Sequence, residues 1–389
     1  MGTGSLYQWL VGSLLAISYV LQPATTLPEI SVKPDLHPRT LATASPLPAT
    51  SPEIYTLEPP MTTYELQRPG FVTRSAGQLV LDGRTFHFTG LNIYNANTLE
   101  SCWYGFGDGA DLSEALAAIG PGQNVFRAWF FQRMATGPEG QRDWSAMDRT
   151  LAIARANGER VIATLGNQWG DCEEQPPLYK TEGWYQSGYR RQIDAGLPNS
   201  YRGWVSEIVS RYRDDPTVLA WQLINEAEDQ VSRTGPCART AVGTLIAFTQ
   251  DMAKVVKTAD PNHLLSLGTW GIANCGTVGR DYQAVHDVAG IDLCEYHDYT
   301  SPAVPAALQN RLDQCRKLGK PLFVGETGIR AGQTILEARA AALDSKFKAQ
   351  FHAGVVGELV WDWAGVKQAR YSGFEVTNGD PTLSVLSRY

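Results

Sequence analysis

The sequence predicts a single (β/α)8 barrel, an α/β fold class that three observations support. From residue 67 onward, short runs of β-branched and apolar residues alternate with longer amphipathic stretches. There are eight such runs, most of them followed by a helical stretch, as an eight-stranded parallel barrel requires. The G-x-G-x-x-G turn that follows the first strand of many doubly wound open sheets is missing, so that fold is the runner-up.

A short β-hairpin is predicted to precede the barrel. Asp82-Gly83 lies between alternating apolar residues, a strong turn signal, and the second arm is expected to continue into the first barrel strand over residues 86–93. The seven later strands are predicted in NVFRAWF, RVIATLG, TVLAWQLIN, HLLSLGT, IDLCEYHDY, PLFVGET and VVGELVWDW. Helices are predicted in DLSEALAAI, WSAMDRTLAIARANG, YRGWVSEIVSRYR, TAVGTLIAFTQDMAKVVKTA, DYQAVHDV, VPAALQNRLDQCRKLG and TILEARAAALDSKFKAQFHAG.

Two segments precede the barrel domain, which is predicted to span residues 67–389. Residues 1–21 are apolar and lack a charged side chain, which favours an export signal over the alternative of a retained N-terminal membrane anchor. Residues 22–66 are rich in Pro, Thr and Ser, which predicts an extended linker. The protein is therefore expected to be secreted, or anchored to the membrane if the first segment is retained.

Composition argues against several classes of protein. The formal net charge is −7 and no basic stripe is present, so nucleic acid is not an expected partner. The six cysteines suit disulfides in an oxidising compartment. None lies in a C-x-x-C pair or near a His at metal-ligand spacing, so no metal site is expected. We predict the bridges Cys102–Cys172 and Cys237–Cys275 between loops at the barrel mouth, and Cys294–Cys315 between the sixth strand and its helix.

Polar and aromatic side chains close most of the predicted strands, where catalytic residues of such barrels lie. Two are glutamates, Glu226 at the end of the fourth strand and Glu326 at the end of the seventh, on opposite sides of the mouth. Facing carboxyl groups, one protonated and one ionised, are what cleavage of a glycosidic bond needs. The alternative, two solvated loop residues, is disfavoured because each ends an apolar strand. The other strand-end residues are Asn92, Arg127, Asn167, Asn225, His297, Tyr299, Trp361 and Trp363.

Five motifs, FRAWF, INEAE, EYHDY, VGETG and VWDW, occur in this order and together resemble glycoside hydrolase family 5, a family of retaining (β/α)8 glycosidases. The resemblance extends from about Phe71 to the C terminus, and the Asn-Glu and Gly-Glu pairs are its most specific parts. It implies endo-acting hydrolysis of β-linked glycans without a metal or organic cofactor. It also implies that Glu226 is the acid/base and Glu326 the nucleophile.

The resemblance extends to residues around the two glutamates. It implies that Asn225 binds the sugar 2-hydroxyl and that Arg127 keeps the nucleophile ionised. His297 and Tyr299 match the family's H-x-Y motif, with the tyrosine hydroxyl directed at the nucleophile. Trp361 matches the aromatic platform under the sugar, and Trp363 is a weaker candidate.

The substrate preference is inferred from the end of the third strand, which reads GNQWGD where many cellulases of this family carry a His. Asn167 and Trp169 in this segment, together with FRAWF, are closer to the family's β-mannanases, so both residues are expected to contact substrate. HDYTSP, however, lacks the longer motif expected of mannanases after the sixth strand.

The predicted function is therefore a retaining endo-β-1,4-glycanase that acts on β-mannan. An endo-β-1,4-glucanase and an exo-β-mannosidase remain open alternatives within the same chemistry. A non-catalytic carbohydrate-binding barrel is the alternative of another class. The expected partner is a β-linked polysaccharide or oligosaccharide, and the protein is expected to be a monomer without an obligate protein partner.

Five other acidic residues near the strand ends receive separate interpretations. Glu228 and Asp229 lie past the fourth strand, either on the cleft wall or in solvent. Glu295, inside the sixth strand, is expected to pair with an Arg or Lys of the barrel. Glu358 and Asp362 share the eighth strand and so cannot face each other across a substrate bond.

Overall fold

The computed structural model describes residues 70–98, 112–120, 123–173, 177–300, 303–365 and 373–389. All of them belong to one unit, Tyr64–Tyr389. The predicted export signal (1–21), the predicted linker (22–66) and Cys102 lie outside the described residues. Each helix in the described part of the chain is either too short or too polar to span a bilayer.

Three antiparallel strands precede the barrel, in the order β1 (Val72–Ser75), β2 (Gln78–Leu81) and β3 (Arg84–Phe86). Asp82 and Gly83 connect β2 to β3 with φ of 49° and 78°, the left-handed values that a type I′ turn requires. The predicted hairpin is therefore confirmed. Its second arm continues into the first barrel strand as predicted, with a break at His87: β3 ends at Phe86, and the chain from Phe88 onward pairs within the barrel.

Eight parallel strands follow in the described residues: β4 (Phe88–Leu91), β5 (Val125–Trp129), β6 (Arg160–Thr164), β7 (Val218–Gln222), β8 (Leu264–Ser266), β9 (Cys294–Asp298), β10 (Leu322–Thr327) and β11 (Val355–Val360). They form two sheets in the orders β4-β11-β10-β9 and β5-β6-β7-β8. Parallel bridges join the sheets at both seams, Asn92 to Arg127 and Ser266 to Leu293. These bridges close the barrel, and the predicted (β/α)8 fold is confirmed.

Helices connect the strands: α1 (Leu112–Ile119), α2 (Ser145–Ala156), α3 (Tyr189–Arg191), α4 (Tyr201–Tyr212), α5 (Ala241–Ala259), α6 (Asp281–His286), α7 (Ala306–Lys317), α8 (Leu336–Ala353) and α9 (Leu383–Leu386). Leu245, Phe248, Met252 and Val256 of α5 are buried at the spacing of one helical face, which explains why this stretch packs as an amphipathic helix. α8 ends at Gly354, whose φ of 106° reverses the chain before β11.

One helical segment does not follow from the sequence pattern. Residues Trp184–Gly188 form a single π-helical turn that continues into α3. The rings of Trp184, Tyr185 and Tyr189 pack against Phe248 of α5, with centroids 4.9 to 5.8 Å apart. These contacts with a helix more than fifty residues away along the chain stabilise the segment, rather than a local apolar period.

The barrel interior is apolar at its N-terminal end and polar toward its C-terminal end. The apolar floor combines residues of the antiparallel sheet and the barrel strands: Val72, Leu79, Phe88, Ile162, Leu219, Phe323 and Val356. The buried polar residues are Arg127, Thr164, Gln222, Ser266, Glu295 and His297. Since buried polar groups need hydrogen-bond partners, these residues bond to one another and form the base of the site described below.

Two of the predicted disulfides are confirmed. Cys237–Cys275, with Cα atoms 5.1 Å apart, joins the loops that follow β7 and β8. Cys294–Cys315 joins β9 to α7. Cys172 is also disulfide-bonded, but because Cys102 lies outside the described residues, its pairing with Cys172 stays a prediction.

Candidate active site

Glu226 and Glu326 lie at the C-terminal mouth of the barrel and face each other. Glu326 ends the apolar part of β10, and Glu226 follows β7 in a left-handed conformation with φ of 57°. A non-glycine residue rarely adopts this conformation, and it directs the backbone around a sharp turn at the strand end. One oxygen of each carboxyl group and one ring nitrogen of His297 all lie within 4.8 Å of one another. Carboxyl groups whose nearest atoms approach this closely agree with the short separation of retaining glycosidases, about 5 to 5.5 Å.

Two strong donors hold the carboxyl group of Glu326. Arg127 Nη1 donates to Oε1 at 2.8 Å, and Tyr299 Oη donates to Oε2 at 2.7 Å. Burial raises the pKa of Glu326, and the positive charges of His297 and Arg127 oppose that rise. The donors therefore stabilise the ionised form of a carboxyl group that is almost completely buried.

Four barrel strands hold the Arg127 guanidinium. It is fully buried and stacks over the ring of Trp129, 4.6 Å from the centroid. Besides Glu326, its three nitrogens donate to Asn92 Oδ1 at 2.8 Å, Gln222 Oε1 at 2.9 Å and Asn225 Oδ1 at 2.6 Å. This planar fork has a partner in every direction, so its orientation toward Glu326 is fixed.

Glu226 receives a different pair of contacts. Trp169 Nε1 donates to Oε2 at 2.7 Å, and His297 Nδ1 lies 2.9 Å from Oε1. Burial acts to raise the pKa of Glu226, but the hydrogen bonds of His297 and Trp169 outweigh it and hold the pKa below its ordinary value. For His297, burial acts to lower the pKa, while Glu326, Glu226 and Glu295 raise it to about 10. The resting site therefore holds an imidazolium between carboxylates.

Asn225 and Asn167 lie side by side beneath the mouth. Their backbones form a parallel bridge, and Asn225 Nδ2 donates to Asn167 Oδ1 at 3.1 Å. Asn167 Nδ2 in turn donates to the carbonyl oxygen of Asp171 at 3.1 Å, which ties Asn225 to the loop after β6. Asn225 is therefore oriented from two sides, by Arg127 and by Asn167.

Trp361 is the aromatic residue that stays partly exposed at the end of β11. Its ring stacks on Tyr94 with centroids 5.5 Å apart and planes 13° apart, and it contacts Trp129 at 6.0 Å. The peptide bond between Trp361 and Asp362 is cis. Trp363, the weaker candidate platform, is buried in the hydrophobic core, so that prediction is wrong.

The structure corrects the interpretation of three acidic residues. Glu228 accepts a hydrogen bond from Tyr179 Oη at 2.7 Å, and both Glu228 and Asp229 are buried, so neither faces solvent. Burial and the charge of Glu182 raise the pKa of Asp229 to about 7. The prediction that Glu295 pairs with an Arg or Lys of the barrel is wrong.

Glu295 instead contacts His297, because both side chains point inward from alternate positions of β9. The two acids of the eighth strand also have separate surroundings. Burial raises the pKa of the fully buried Glu358, and the charge of Lys346 on α8 opposes that rise. Burial and the charges of Glu375 and Glu326 raise the pKa of Asp362 to about 7.

All nine predicted site residues meet in one cluster at the mouth: Arg127, Asn167, Trp169, Asn225, Glu226, His297, Tyr299, Glu326 and Trp361. Sequence reasoning missed Gln222, Tyr179 and the bridging position of Glu295. Gln222 is a polar residue inside an apolar strand, a signal that was available. Tyr179 lies two residues after Pro177 in a stretch without any periodic pattern, so no comparable signal marks it.

A (β/α)8 barrel with two opposed carboxyl groups at its C-terminal mouth defines a class, the (β/α)8 glycoside hydrolases. Residues 82–365 match the family model described as Cellulase (glycosyl hydrolase family 5). The chain belongs to glycosyl hydrolase family 5 and is a glycoside hydrolase, as the sequence motifs predicted.

Two plant relatives carry mannanase names. Mannan endo-1,4-beta-mannosidase 8 of Oryza sativa subsp. japonica is 27% identical over 344 residues, which cover 74% of this chain and 89% of the relative. Putative mannan endo-1,4-beta-mannosidase 4 of Arabidopsis thaliana is 26% identical over 389 residues, with 82% and 90% covered. Among solved structures, the endo-1,4-beta-mannanase of Rhizomucor miehei aligns with a TM-score of 0.62 at 18% identity, covering 82% of this chain and 97% of that one. At this identity, the structural likeness bears on the fold alone.

Proposed function

We propose that this enzyme is a retaining endo-β-1,4-mannanase, with Glu326 as the nucleophile and Glu226 as the acid/base. The observation that carries the assignment of roles is the difference in contacts: Glu326 is bonded to Arg127 and Tyr299, whereas Glu226 is bonded to His297 and Trp169. A guanidinium and a phenol stabilise a carboxylate that must attack while ionised. An imidazole can exchange a proton with a carboxyl group that must first give and then take one.

The reaction proceeds in two displacements. In the first, the Glu326 carboxylate attacks the anomeric carbon and forms an ester bond while the glycosidic bond breaks. Glu226 gives the leaving oxygen the proton that it has taken from Nδ1 of the His297 imidazolium. In the second, Glu226 takes a proton from water, whose oxygen attacks the anomeric carbon and breaks the ester, and Glu226 then returns that proton to His297. Both carboxyl groups and the imidazolium return to their starting states.

The neighbouring residues bind and orient the sugar. Asn225, held by Arg127 and Asn167, directs its amide toward the position of a 2-hydroxyl next to the nucleophile. Trp361 offers an aromatic face, already stacked on Tyr94, on which the apolar face of a sugar ring can lie. Asn167 and Trp169 form the wall beside the acid/base. We assign no metal or organic cofactor to the reaction, because each step uses only these side chains and water.

The choice of mannan rests on the names of the two plant relatives and on the Asn167-x-Trp169 segment. We also propose that residues 1–21 direct export, with a membrane anchor as the alternative, that residues 22–66 are a spacer, and that residues 67–389 form the catalytic domain. The disulfides support an oxidising compartment. The enzyme is expected to act as a monomer on a β-linked polysaccharide.

The test uses Glu326→Ala and Glu226→Ala on mannan, glucomannan and carboxymethyl cellulose, with the exposed Glu337→Ala as control. Both site variants should lose hydrolysis of mannan by about a thousandfold or more, and the control should not. Proton NMR of the first products should show the β-anomer, as retention requires. Faster cleavage of carboxymethyl cellulose would instead indicate an endoglucanase, and release of mannose alone an exo-acting enzyme. Binding without turnover would indicate a carbohydrate-binding barrel.

A further inference from the structure

Glu295 is a fully buried carboxyl group beneath the two catalytic candidates, and the two displacements proposed above do not use it. Its Oε2 accepts a hydrogen bond from Ser266 Oγ at 2.8 Å. Its Oε1 accepts one from Gln222 Nε2 and lies 3.2 Å from His297 Nε2. A buried carboxylate is tolerated only when such contacts replace water, and here the replacement uses both oxygens.

The surroundings of Glu295 stabilise its ionised form. Burial acts to raise the pKa of Glu295, but the hydrogen bond with His297 and the charge of Arg127 outweigh it and lower the pKa. Gly325, the residue before the proposed nucleophile, leaves room for this carboxylate. A Cβ atom at that position would lie 2.2 Å from Glu295 Oε1, so the carboxylate would have to shift from its present position.

Two connections run from Glu295 to the reacting groups. The first passes through His297, whose Nδ1 lies 2.9 Å from Glu226 and 3.4 Å from Glu326. The second passes through Gln222, which also accepts from Arg127 at 2.9 Å, and Arg127 donates to Glu326. Only the first passes through an imidazole, a side chain that can both give and take a proton.

We propose that Glu295 is a positioning residue that accepts a hydrogen bond from the Nε2–H group of His297. This bond keeps the second imidazole proton on Nδ1, where it is directed at Glu226. It also keeps a positive charge between the two catalytic carboxyl groups. The chemical reason is that an imidazole whose Nε2–H is bonded to a carboxylate can take its next proton only at Nδ1. The inference rests on the proposed roles of Glu226 and Glu326.

The consequence is a dependence of the alkaline limb of the pH profile on Glu295. Without its negative charge, His297 loses its proton at lower pH, so the Glu226–His297 pair holds its shared proton less tightly and the alkaline limb moves down. Across the acidic limb His297 stays protonated in both forms, because its pKa of about 10 lies far above that range, so Glu326 keeps its positive neighbour and the acidic limb does not move up. The active range therefore narrows from its alkaline side.

Other ionisable groups also face Glu295 and His297, and none of them is changed when only Glu295 is substituted. They come from β5, the loop after β7, α6, the loop after β9, and β10: Arg127, Glu226, Tyr282, His286, Tyr299 and Glu326. A shift seen in a Glu295 variant is therefore assigned to that carboxylate.

The test compares full-length wild type, Glu295→Gln and the control Ser266→Ala, which removes one hydrogen bond from the same carboxylate but leaves its charge. We measure kcat/KM from pH 4 to pH 10 on manno-oligosaccharides, and titrate His297 by ¹⁵N NMR, assigned with a His297→Gln variant. In Glu295→Gln, the alkaline limb should move down by about one pH unit or more, the His297 titration should move down with it, and the acidic limb should not move up. Ser266→Ala should shift neither limb by more than about 0.3 unit.

An unmoved profile or an unmoved His297 titration in Glu295→Gln would overturn the proposal, since a purely structural role lowers kcat equally at all pH values. If Glu295→Gln does not fold, the wild-type spectrum decides: His297 should carry both ring protons at pH 8, and a neutral ring there contradicts the proposal. Failure of the proposed function is a separate result, because it appears as retained hydrolysis in Glu226→Ala or Glu326→Ala. Inactive glutamate variants with an unmoved Glu295→Gln profile reject the positioning role alone.

Discussion

The indole of Trp169 donates a hydrogen bond to Glu226 Oε2 at 2.7 Å, from a loop that follows β6 rather than from the strand that carries the glutamate. Tyr179 of the same loop contacts the Trp169 ring at 5.6 Å and donates to Glu228. The wall beside the proposed acid/base is therefore built by two loops that hold each other in place.

Substituting Trp169 by Phe should raise the pKa of Glu226. The indole bond lowers this pKa, so its loss favours the protonated carboxyl group, and the alkaline limb of kcat/KM should move up by as much as about one unit. The measurement is the pH profile on manno-oligosaccharides. Trp184→Phe, whose indole packs on Phe248, is the control and should leave the limb unchanged. An alkaline limb that stays in place or moves down in Trp169→Phe would show that the indole does not control the proton of Glu226.

Arg127→Lys should lower kcat/KM by about a hundredfold or more and shift the acidic limb upward. An ammonium group cannot make the four hydrogen bonds of the guanidinium, so Glu326 loses a fixed donor and its pKa rises. The free energy of unfolding should also fall by several kcal/mol, on the order of 1 to 3 kcal/mol for each buried acceptor left unpaired.

Arg142→Lys is the matched control for this experiment. Arg142 forms a half-buried ion pair with Glu207 of α4 rather than with a site glutamate, so its loss of bidentate bonding should change kcat/KM by less than about threefold. Near-wild-type activity in Arg127→Lys would show that a positive charge alone, without the planar fork, suffices to hold Glu326.

Asp229→Asn should stabilise the fold at alkaline pH. The folded-state pKa of about 7 lies above the unfolded value of 3.8, so the folded chain binds more protons between these values and wild-type stability falls as pH rises through that window. The neutral amide avoids this loss. Thermal unfolding should give a higher Tm than wild type at pH 8 and an equal Tm at pH 3.5; the same Tm difference at both pH values would contradict the assigned pKa.

Removing the Cys237–Cys275 bridge with the double change Cys237→Ser and Cys275→Ser should lower the free energy of unfolding by about 2 to 4 kcal/mol, because the bridge closes a loop with a sequence separation of 38. Denaturant unfolding measures the loss, and reduced wild-type protein is the comparison. The two loops remain connected without the bridge, because the Asp229 N–H group donates to the carbonyl oxygen of Cys275. We therefore expect only a small change in kcat/KM at temperatures well below the Tm. A variant as stable as oxidised wild type would show that loop packing alone holds this part of the mouth.

The eight strands, and the two carboxyl groups that close the fourth and seventh of them, can be predicted from the amino-acid sequence. An apolar run that ends in Asn225-Glu226 or Gly325-Glu326 is a local pattern, and the parallel order of a barrel then requires those ends to share one mouth. The five sequence motifs also indicated the family.

The groups that control these two glutamates are brought together by the folded barrel and could not be predicted from local patterns. Glu295 contacts His297 two positions away on one strand, but its other partners, Gln222 and Ser266, come from separate strands and meet it only when the barrel closes. Burial of Asp229, which the sequence left either on the wall or in solvent, likewise depends on a loop tied down far along the chain. Hydrogen bonding and burial are set by neighbours in space, and those neighbours are separated here by dozens of residues without any periodic signal between them.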